Sequence, residues 1–239
     1  MCRLVTYNIH SGVGTDKKQD YRRIGSFLAE IGADIVLLQE MDTRPESREI
    51  KQDVKHICAG NVFELASSPA LNEENGWYGN AILSRYPIVS NETLDVSQDG
   101  FQPRNIQTVV VQTHKGPLTV INTHKGLKKR ERRSQFAQLH EYIEERLNTF
   151  RSPLVLGGDF NEWQFFTSAF KALNHTLRPS RTGATFPSKF PLFSLDRVWT
   201  TNDIVVHKCK RIKNEKTRVY SDHLPIQVDM QLPRASDTK

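Results

Sequence analysis

Two short polar strings, Gly157-Gly158-Asp159-Phe160-Asn161 and Ser221-Asp222-His223-Leu224-Pro225-Ile226, hold acid, amide and imidazole groups at marked spacing. The first follows an apolar run, Pro153-Leu154-Val155-Leu156, and the second leads into another, Ile226-Gln227-Val228-Asp229-Met230. Each therefore places its polar groups at the rim of a sheet. Cleaving a phosphoester near neutral pH needs a cation to offset phosphate charge, a group that activates water, and donors aimed at the developing oxyanion. The two strings supply candidates for all three. Upstream, Leu4-Val5-Thr6-Tyr7 ends at Asn8-Ile9-His10, Asp34-Ile35-Val36-Leu37-Leu38 ends at Gln39-Glu40, and Leu118-Thr119-Val120-Ile121 ends at Asn122-Thr123-His124. Apolar runs thus finish repeatedly on hard oxygen or imidazole groups. Mg²⁺ takes one or two carboxylates together with water and substrate phosphate. Glu40 with Asn8 and Asp222 suits Mg²⁺, with Mn²⁺ as a substitute, better than a Cys/His zinc site.

The elements that must position these groups are legible in outline. Apolar residues at Ile24, Phe27, Leu28 and Ile31 have helical spacing, and Gly32 reads as the stop. Tyr78 to Ser84 reads as a strand broken by Arg85-Tyr86-Pro87. Ile106 to Gln112 and Leu118 to Asn122 flank His114-Lys115-Gly116-Pro117, a hairpin turn. Phe136, Leu139, Ile143 and Leu147 mark a long amphipathic helix over 130–147. A strand at Leu154 to Leu156 follows, then a helix around Trp163 to Leu173. Late strands fall at 196–200, 204–209 and 225–231. Helices interspersed with strands that are often joined by tight turns indicate an α/β protein with a mixed sheet system, not a simple parallel array.

The chain has 239 residues, 37% hydrophobic and 25% charged, and no linker-like or low-complexity tract. One domain over 1–239 is expected. Cys2, Cys58 and Cys209 are odd in number and lack a CxxC pair, which argues for a reducing compartment. No apolar stretch approaches a membrane span, and the first strand begins almost at Met1, so a cytoplasmic protein is expected. The net charge of +6 favours anionic partners, nucleic acid or anionic lipid headgroups alike.

As a set, these strings resemble the endonuclease/exonuclease/phosphatase superfamily, which includes DNase I-like nucleases, neutral sphingomyelinases and inositol-polyphosphate 5-phosphatases. The likeness runs in order through Thr6-Tyr7-Asn8-Ile9-His10, Leu38-Gln39-Glu40, Tyr78-Gly79-Asn80-Ala81-Ile82-Leu83-Ser84-Arg85, Asn122-Thr123-His124, Gly157 to Asn161, Leu195-Asp196-Arg197-Val198 and Ser221-Asp222-His223. The resemblance implies a four-layer α/β sandwich, two packed mixed β-sheets flanked by helices, with the site at one end. It implies that Glu40 holds the divalent metal beside Asn8 and Asp222, and that Asp159 orients or deprotonates the attacking water. Asn161, Asn80 and His124 would bind phosphoryl oxygens, and Asp196 would hold the ring of His223, which would contact the phosphate. Either Asp159 or His223 could be the base. The stretch Asn122-Thr123-His124-Lys125-Gly126-Leu127 with Glu131-Arg132-Arg133 resembles the small bacterial branch. His10 stands where abasic-site enzymes commonly carry an aspartate, which weighs against DNA repair.

Bland alternatives accompany each residue. Asp159 could cap a turn or helix. Asn8, Asn80 and Asn122 could simply satisfy backbone groups at strand ends. Arg104, in Gln102-Pro103-Arg104-Asn105, is either a substrate contact or a plain surface arginine. Trp77-Tyr78 and Trp163 either stack on substrate or pack in the core. The run from Lys125 to Arg133, which includes Lys128 and Lys129, begins at the expected site mouth, yet only part of it can face one way on a helix. A second basic stretch spans Lys208 to Lys213. Together with Asn122 and His10 as further substrate contacts, these features put a metal-dependent nuclease first. The same chemistry on a phospholipid headgroup or small phosphoester comes second, and a non-catalytic module on the same scaffold third.

Overall fold

Two six-stranded sheets arise from three passes of the chain. The structure, a computed structural model, describes residues 1–44, 50–150, 152–164 and 167–233. The first pass gives β1 (Cys2–Asn8), β2 (Ile35–Asp42), β3 (Glu64–Glu73) and β4 (Gly76–Ser84). The second builds the other sheet from β5 (Ile88–Asp95), β6 (Asn105–Thr113), β7 (Gly116–His124), β8 (Leu154–Asp159), β9 (Arg178–Ser180) and β10 (Asp196–Thr200). The chain then returns to the first sheet with β11 (Val205–Arg211) and β12 (Ile226–Gln231). The strand orders are β11-β12-β1-β2-β4-β3 and β5-β6-β7-β8-β10-β9. Parallel pairing occurs at β1/β2 and β7/β8, and each pair is bridged by a helix, α1 (Tyr21–Glu30) and α3 (Lys129–Thr149). A parallel neighbour requires such a crossover, whereas antiparallel partners can be joined by a turn.

Between the sheets, Leu4, Leu37 and Ile82 of one meet Val120, Val155 and Val198 of the other. The outer faces are equally apolar. Val5, Tyr7 and Leu38 pack under Ile24, Phe27 and Leu28 of α1 and Ile57 of α2 (Ile50–Ile57). On the far side, Ile121 and Leu156 pack under Phe136, Leu139 and Ile143 of α3 and Leu173 of α4 (Lys171–Thr176). Central strands buried on both faces read as continuous apolar runs, which is why β1, β2, β7 and β8 stand out in the sequence. The layers run helix, sheet, sheet, helix, the four-layer sandwich that the resemblance implied.

Two departures from the sequence reading have physical causes. β5 leaves most of its side chains exposed, so no apolar pattern announces it, and backbone pairing to β6 alone makes it a strand. The helix expected around Trp163 to Leu173 is displaced: α4 starts only at Lys171, and Trp163 lies in a loop, with 165 and 166 outside the described residues. Trp163 instead packs edge-on against Phe186 and Phe193, with ring centroids 5.5 and 5.1 Å away.

Candidate active site

Strand register gathers the polar strand ends. His124 of β7 pairs with Asp159 of β8, and Asp159 pairs in turn with Asp196 of β10. Residues opposite one another on neighbouring strands share a face, so these three side chains form one row at the sheet end. In the first sheet Asn8 pairs with Gln39, and Glu40 follows. Strand alternation would send Glu40 to the opposite face from Gln39. Two features re-aim it: the β2/β4 register shifts between Leu38 and Met41, and Glu40 adopts a left-handed φ of 59°. Bulges and positive φ at non-glycine residues are strained arrangements that recur where a side chain must be redirected. The loop before β12, headed by the short helix α5 (Thr217–Tyr220), brings Asp222 and His223 to the same place. Ser221 Oγ donates to Asn8 O at 2.7 Å and ties that loop to the end of β1.

The result is a cleft of about 310 Å³ lined by Glu40, Asp222, Asp159, His124, His223 and Asn161, with Arg104 and His10 also on its wall. Asn8 bridges two of the carboxylates. Its Nδ2 donates to Glu40 Oε1 at 2.9 Å and to Asp159 Oδ2 at 3.0 Å, while its Oδ1 accepts from the backbone N–H of His10. That N–H fixes the amide orientation. Asn8 therefore holds Glu40 and Asp159 in place through its Nδ2. No Arg or Lys among the described residues lies within 4 Å of Glu40 or Asp222. Two carboxylates in a small cleft without a basic partner, offering only hard oxygen, fit a divalent cation.

Asp159 stands between two histidines whose Nε2 atoms are each 3.7 Å from its Oδ2. His223 Nδ1 donates to Asp196 Oδ2 at 2.8 Å, and the same oxygen accepts from Thr185 Oγ1 at 2.5 Å. Burial alone would lower the His223 pKa, but the charges of Asp196 and then Asp159 outweigh it and raise it well above the usual histidine range. Burial raises the Asp159 carboxyl, and the nearby His223 partly offsets this. His124 goes the opposite way. Burial, helped by Arg104 and His223, lowers its pKa and keeps it neutral. Asn161 Nδ2 points at His124 Nε2 at 3.1 Å and at the Lys125 carbonyl at 2.8 Å. Because an amide NH₂ only donates, Nε2 of His124 is the acceptor and its proton sits on Nδ1.

Arg104 is buried in the wall, where Nη2 donates to Gln102 Oε1 at 2.9 Å and Nε has no partner. No carboxylate neutralises it among the described residues, so its charge is free to meet an anion. It is not the surface arginine of the bland reading. Trp163 lines the cleft beside Phe186, whose ring centroid lies 4.9 Å from that of His223. Thr185, Phe186 and Gln102 carry no motif, and only their proximity to Asp196, His223 and Arg104 reveals them.

Four expected substrate contacts lie elsewhere. Asn122 is fully buried below the cleft, donating to the carbonyls of Leu38 and Ala81 and accepting from Gln39 Nε2 at 2.7 Å. It clamps the two sheets together. Asn80 forms a second clamp, its Nδ2 donating to Asn105 Oδ1 at 2.8 Å. Both follow the strand-end alternative, because polar groups buried between sheets must be paired. Lys128 and Lys129, at the N-cap and first residue of α3, are exposed and flank the cleft without lining it. The rest of that basic run divides. Lys125 is fully buried, its Nζ donating to Gln135 O at 3.1 Å, and burial lowers its pKa to about 7. Arg132 is also buried and donates to the carbonyls of Gly126 and Leu127. The second basic stretch runs along β11, an edge strand, where exposed lysines guard against edge pairing and stand clear of the cleft.

Comparison with known proteins agrees with this architecture. YbhP of Escherichia coli (strain K12) is 29% identical over 253 residues, covering 96% of each chain. The mannosyl-6-phosphatase Bt3783 of Bacteroides thetaiotaomicron VPI-5482 superposes with a TM-score of 0.81 at 18% identity, covering 97% of this chain and 100% of that one. D. rerio TDP2, in a complex with single-strand DNA product, superposes with a TM-score of 0.72 at 14% identity over 96% of this chain and 98% of its own. These likenesses to solved structures concern the fold. The family profile for the Endonuclease/Exonuclease/phosphatase family matches residues 5–223, nearly the whole span from β1 to the His223 string. With its metal-suited carboxylates and its histidine-flanked aspartate in one cleft, the chain belongs to the Endonuclease/Exonuclease/phosphatase family of phosphoester hydrolases.

Proposed function

We propose that this chain is a Mg²⁺-dependent hydrolase of a compact phosphoester, with Asp159 as general base and His223 as the cationic group that meets the phosphoryl oxygens. The observation that carries this reading is the opposed electrostatics of the two histidines around Asp159. A His223 held protonated by Asp196 can donate a proton or hydrogen bond but cannot accept one. Asp159 is then left to take the proton of water as the water oxygen bonds to phosphorus and the ester oxygen departs. Glu40 and Asp222 would hold Mg²⁺ (or Mn²⁺), which when bound offsets phosphate charge. Arg104 and Asn161 would steady the phosphoryl oxygens from the opposite wall.

A compact substrate is favoured because the cleft sits at the small end of the range for ligand pockets and has aromatic residues on one side. The basic run contributes little track for a polymer, since Lys125 and Arg132 are spent inside the protein. Nucleic acid, placed first from the sequence, remains the second reading. It is favoured by the net charge of +6 and by the exposed Lys128, Lys129, Arg130 and Arg133 beside the mouth. Turnover with Mg²⁺ on sugar phosphates, lipid headgroup phosphoesters, an aryl phosphodiester, DNA and RNA separates the two. Metal titration by calorimetry should show Mg²⁺ binding that Glu40→Gln weakens at least about tenfold, the scale of losing one carboxylate ligand. Equal affinity in both proteins would remove Glu40 from the site.

A further inference from the structure

The turn that follows His124 carries backbone polar groups into the interior. Lys125 and Gly126 are buried, while Leu127 emerges on the wall of the cleft. Buried N–H and C=O groups must be paired, and side chains do it here. Gln135 Oε1 accepts from the Gly126 N–H at 2.9 Å, and Arg132 Nη1 donates to the carbonyls of Gly126 and Leu127. The Lys125 carbonyl accepts from Asn161 Nδ2 at 2.8 Å, the same amide that meets His124 Nε2. The turn thus links α3 to Asn161 and His124, both of which line the cleft.

On the α3 side the bonds converge on Gln135, which is fully buried. Its main-chain carbonyl accepts from Lys125 Nζ at 3.1 Å, so one residue holds both members of the turn. Its Nε2 donates to Glu131 Oε1 at 3.2 Å and to Val96 O at 3.4 Å. Because the Gly126 N–H can only donate, Oε1 must face it, and the Gln135 amide has one orientation. The packing is close: a Cβ on Gly126 would stand 1.8 Å from the carboxyl carbon of Glu131. Val96 leads toward the other wall, since its N–H donates to Arg104 O at 3.0 Å. That branch runs through the longest of these bonds, so the turn is the stronger connection.

We infer that Gln135 is a positioning residue of the active site, acting from α3 through the Lys125–Gly126 turn on Asn161 and His124. It does not line the cleft itself. An apolar side chain of similar size would fill the same space but leave the Gly126 N–H buried without its acceptor, and the turn would shift to find another. Asn161, fastened to the turn at the Lys125 carbonyl, would follow. Small displacements of that kind lower turnover because the reacting groups act only at defined separations. The inference rests on the hydrolase reading for what Asn161 and His124 do to substrate, and on the hydrogen bonds alone for their placement.

The test combines turnover of an aryl phosphodiester with Mg²⁺ and nitrogen NMR of the Asn161 and His124 side chains in the full chain. Gln135→Leu should cut kcat about tenfold and displace both sets of resonances, with Mg²⁺ affinity by calorimetry unchanged. Gln135→Met takes its place if the leucine variant does not fold. In an Asn161→Ala background the same substitution should cost less than about twofold, because its route to the site is already cut. In an Asp196→Asn background, which acts on His223 across the cleft, the full loss should persist. Exchanging the pair, Glu131→Gln with Gln135→Glu, returns an acceptor to Gly126 and should bring kcat back to within about threefold of the wild type. Equal losses in both backgrounds, an exchanged pair as poor as Gln135→Leu, or unmoved resonances would reduce Gln135 to a packing residue and overturn the inference. A wild type that turns over no phosphoester would sink the hydrolase reading, and the resonances alone would then decide the placement.

Discussion

The two flanks of the cleft put the same side chain to opposite uses. On one, His223 is backed by Asp196 and Thr185 and carries a proton. On the other, His124 is backed by Asn161 and overlooked by Arg104 and stays neutral. Both imidazoles are buried, and both stand 3.7 Å from Asp159. Neither burial nor distance to the shared carboxylate therefore sets their charge. The partner of each ring does: an anion on one side, an amide donor and a nearby cation on the other. A histidine's charge in such a site is decided by the groups next to its ring.

The largest effect should come from removing the carboxylate common to both flanks. Asp159→Asn should cut turnover at least about a hundredfold, the scale of losing an acid–base group. Burial raises the Asp159 pKa to about 6, so keeping it ionised at neutral pH costs folding stability, and a neutral isostere should leave Tm unchanged or higher. A sharp fall in Tm would mean that the hydrogen bonds from Asn8 and Asn161 outweigh the burial cost.

Breaking the charged flank comes next. His223→Ala and Asp196→Asn should each lower turnover by about ten- to a hundredfold, and the double variant should be little worse than His223→Ala, as for residues that act as a unit. Multiplicative losses would separate them. The pH profile sharpens the same point. Asp159 must be ionised, and its raised pKa moves the acid limb above the ordinary aspartate range. His223 must be protonated, and its raised pKa carries the plateau beyond the ordinary histidine range before activity falls. Asp196→Asn removes the main raising charge, so the alkaline limb should move toward neutrality. An unmoved limb would assign it to another group.

The neutral flank should yield less. His124→Gln keeps an acceptor and a donor without the ring, and a loss of about tenfold or less in turnover is expected where no proton is transferred. A hundredfold loss would make His124 an acid–base group after all. The smallest change belongs to Lys128→Ala with Lys129→Ala. These residues flank the cleft without lining it, so KM for a polyanion should rise and its salt dependence should flatten while turnover of a small aryl phosphodiester holds.

How much of this was legible in advance varies residue by residue. Asp159, Asp196, Asp222, His223 and Glu40 could be found from sequence because each ends or begins an apolar run, and strand ends open onto solvent. Asn80 and Asn122 share that signature, and their amides pair across the two sheets, a position that sequence does not separate from a strand end facing solvent. β5 and the loop bearing Trp163 were not legible, the first for want of a buried face and the second because its aromatic residues pack on the 186–193 loop and not on a helix.

The amino-acid sequence by itself determined the layers, through runs apolar enough to be buried on both faces, and it determined the inventory of acids and imidazoles at their ends. Only the tertiary structure decided which partner stands behind each of them. The pairing of Asp196 with His223 spans 27 residues and that of Asn8 with Asp159 spans 151. Such contacts depend on strand register and on a strained turn at Glu40, neither of which local composition encodes. Burial then does the rest. In the interior, a charge is kept or lost according to its immediate partner, so His223 becomes a cation, His124 remains neutral, and Lys125 is pushed toward losing its proton.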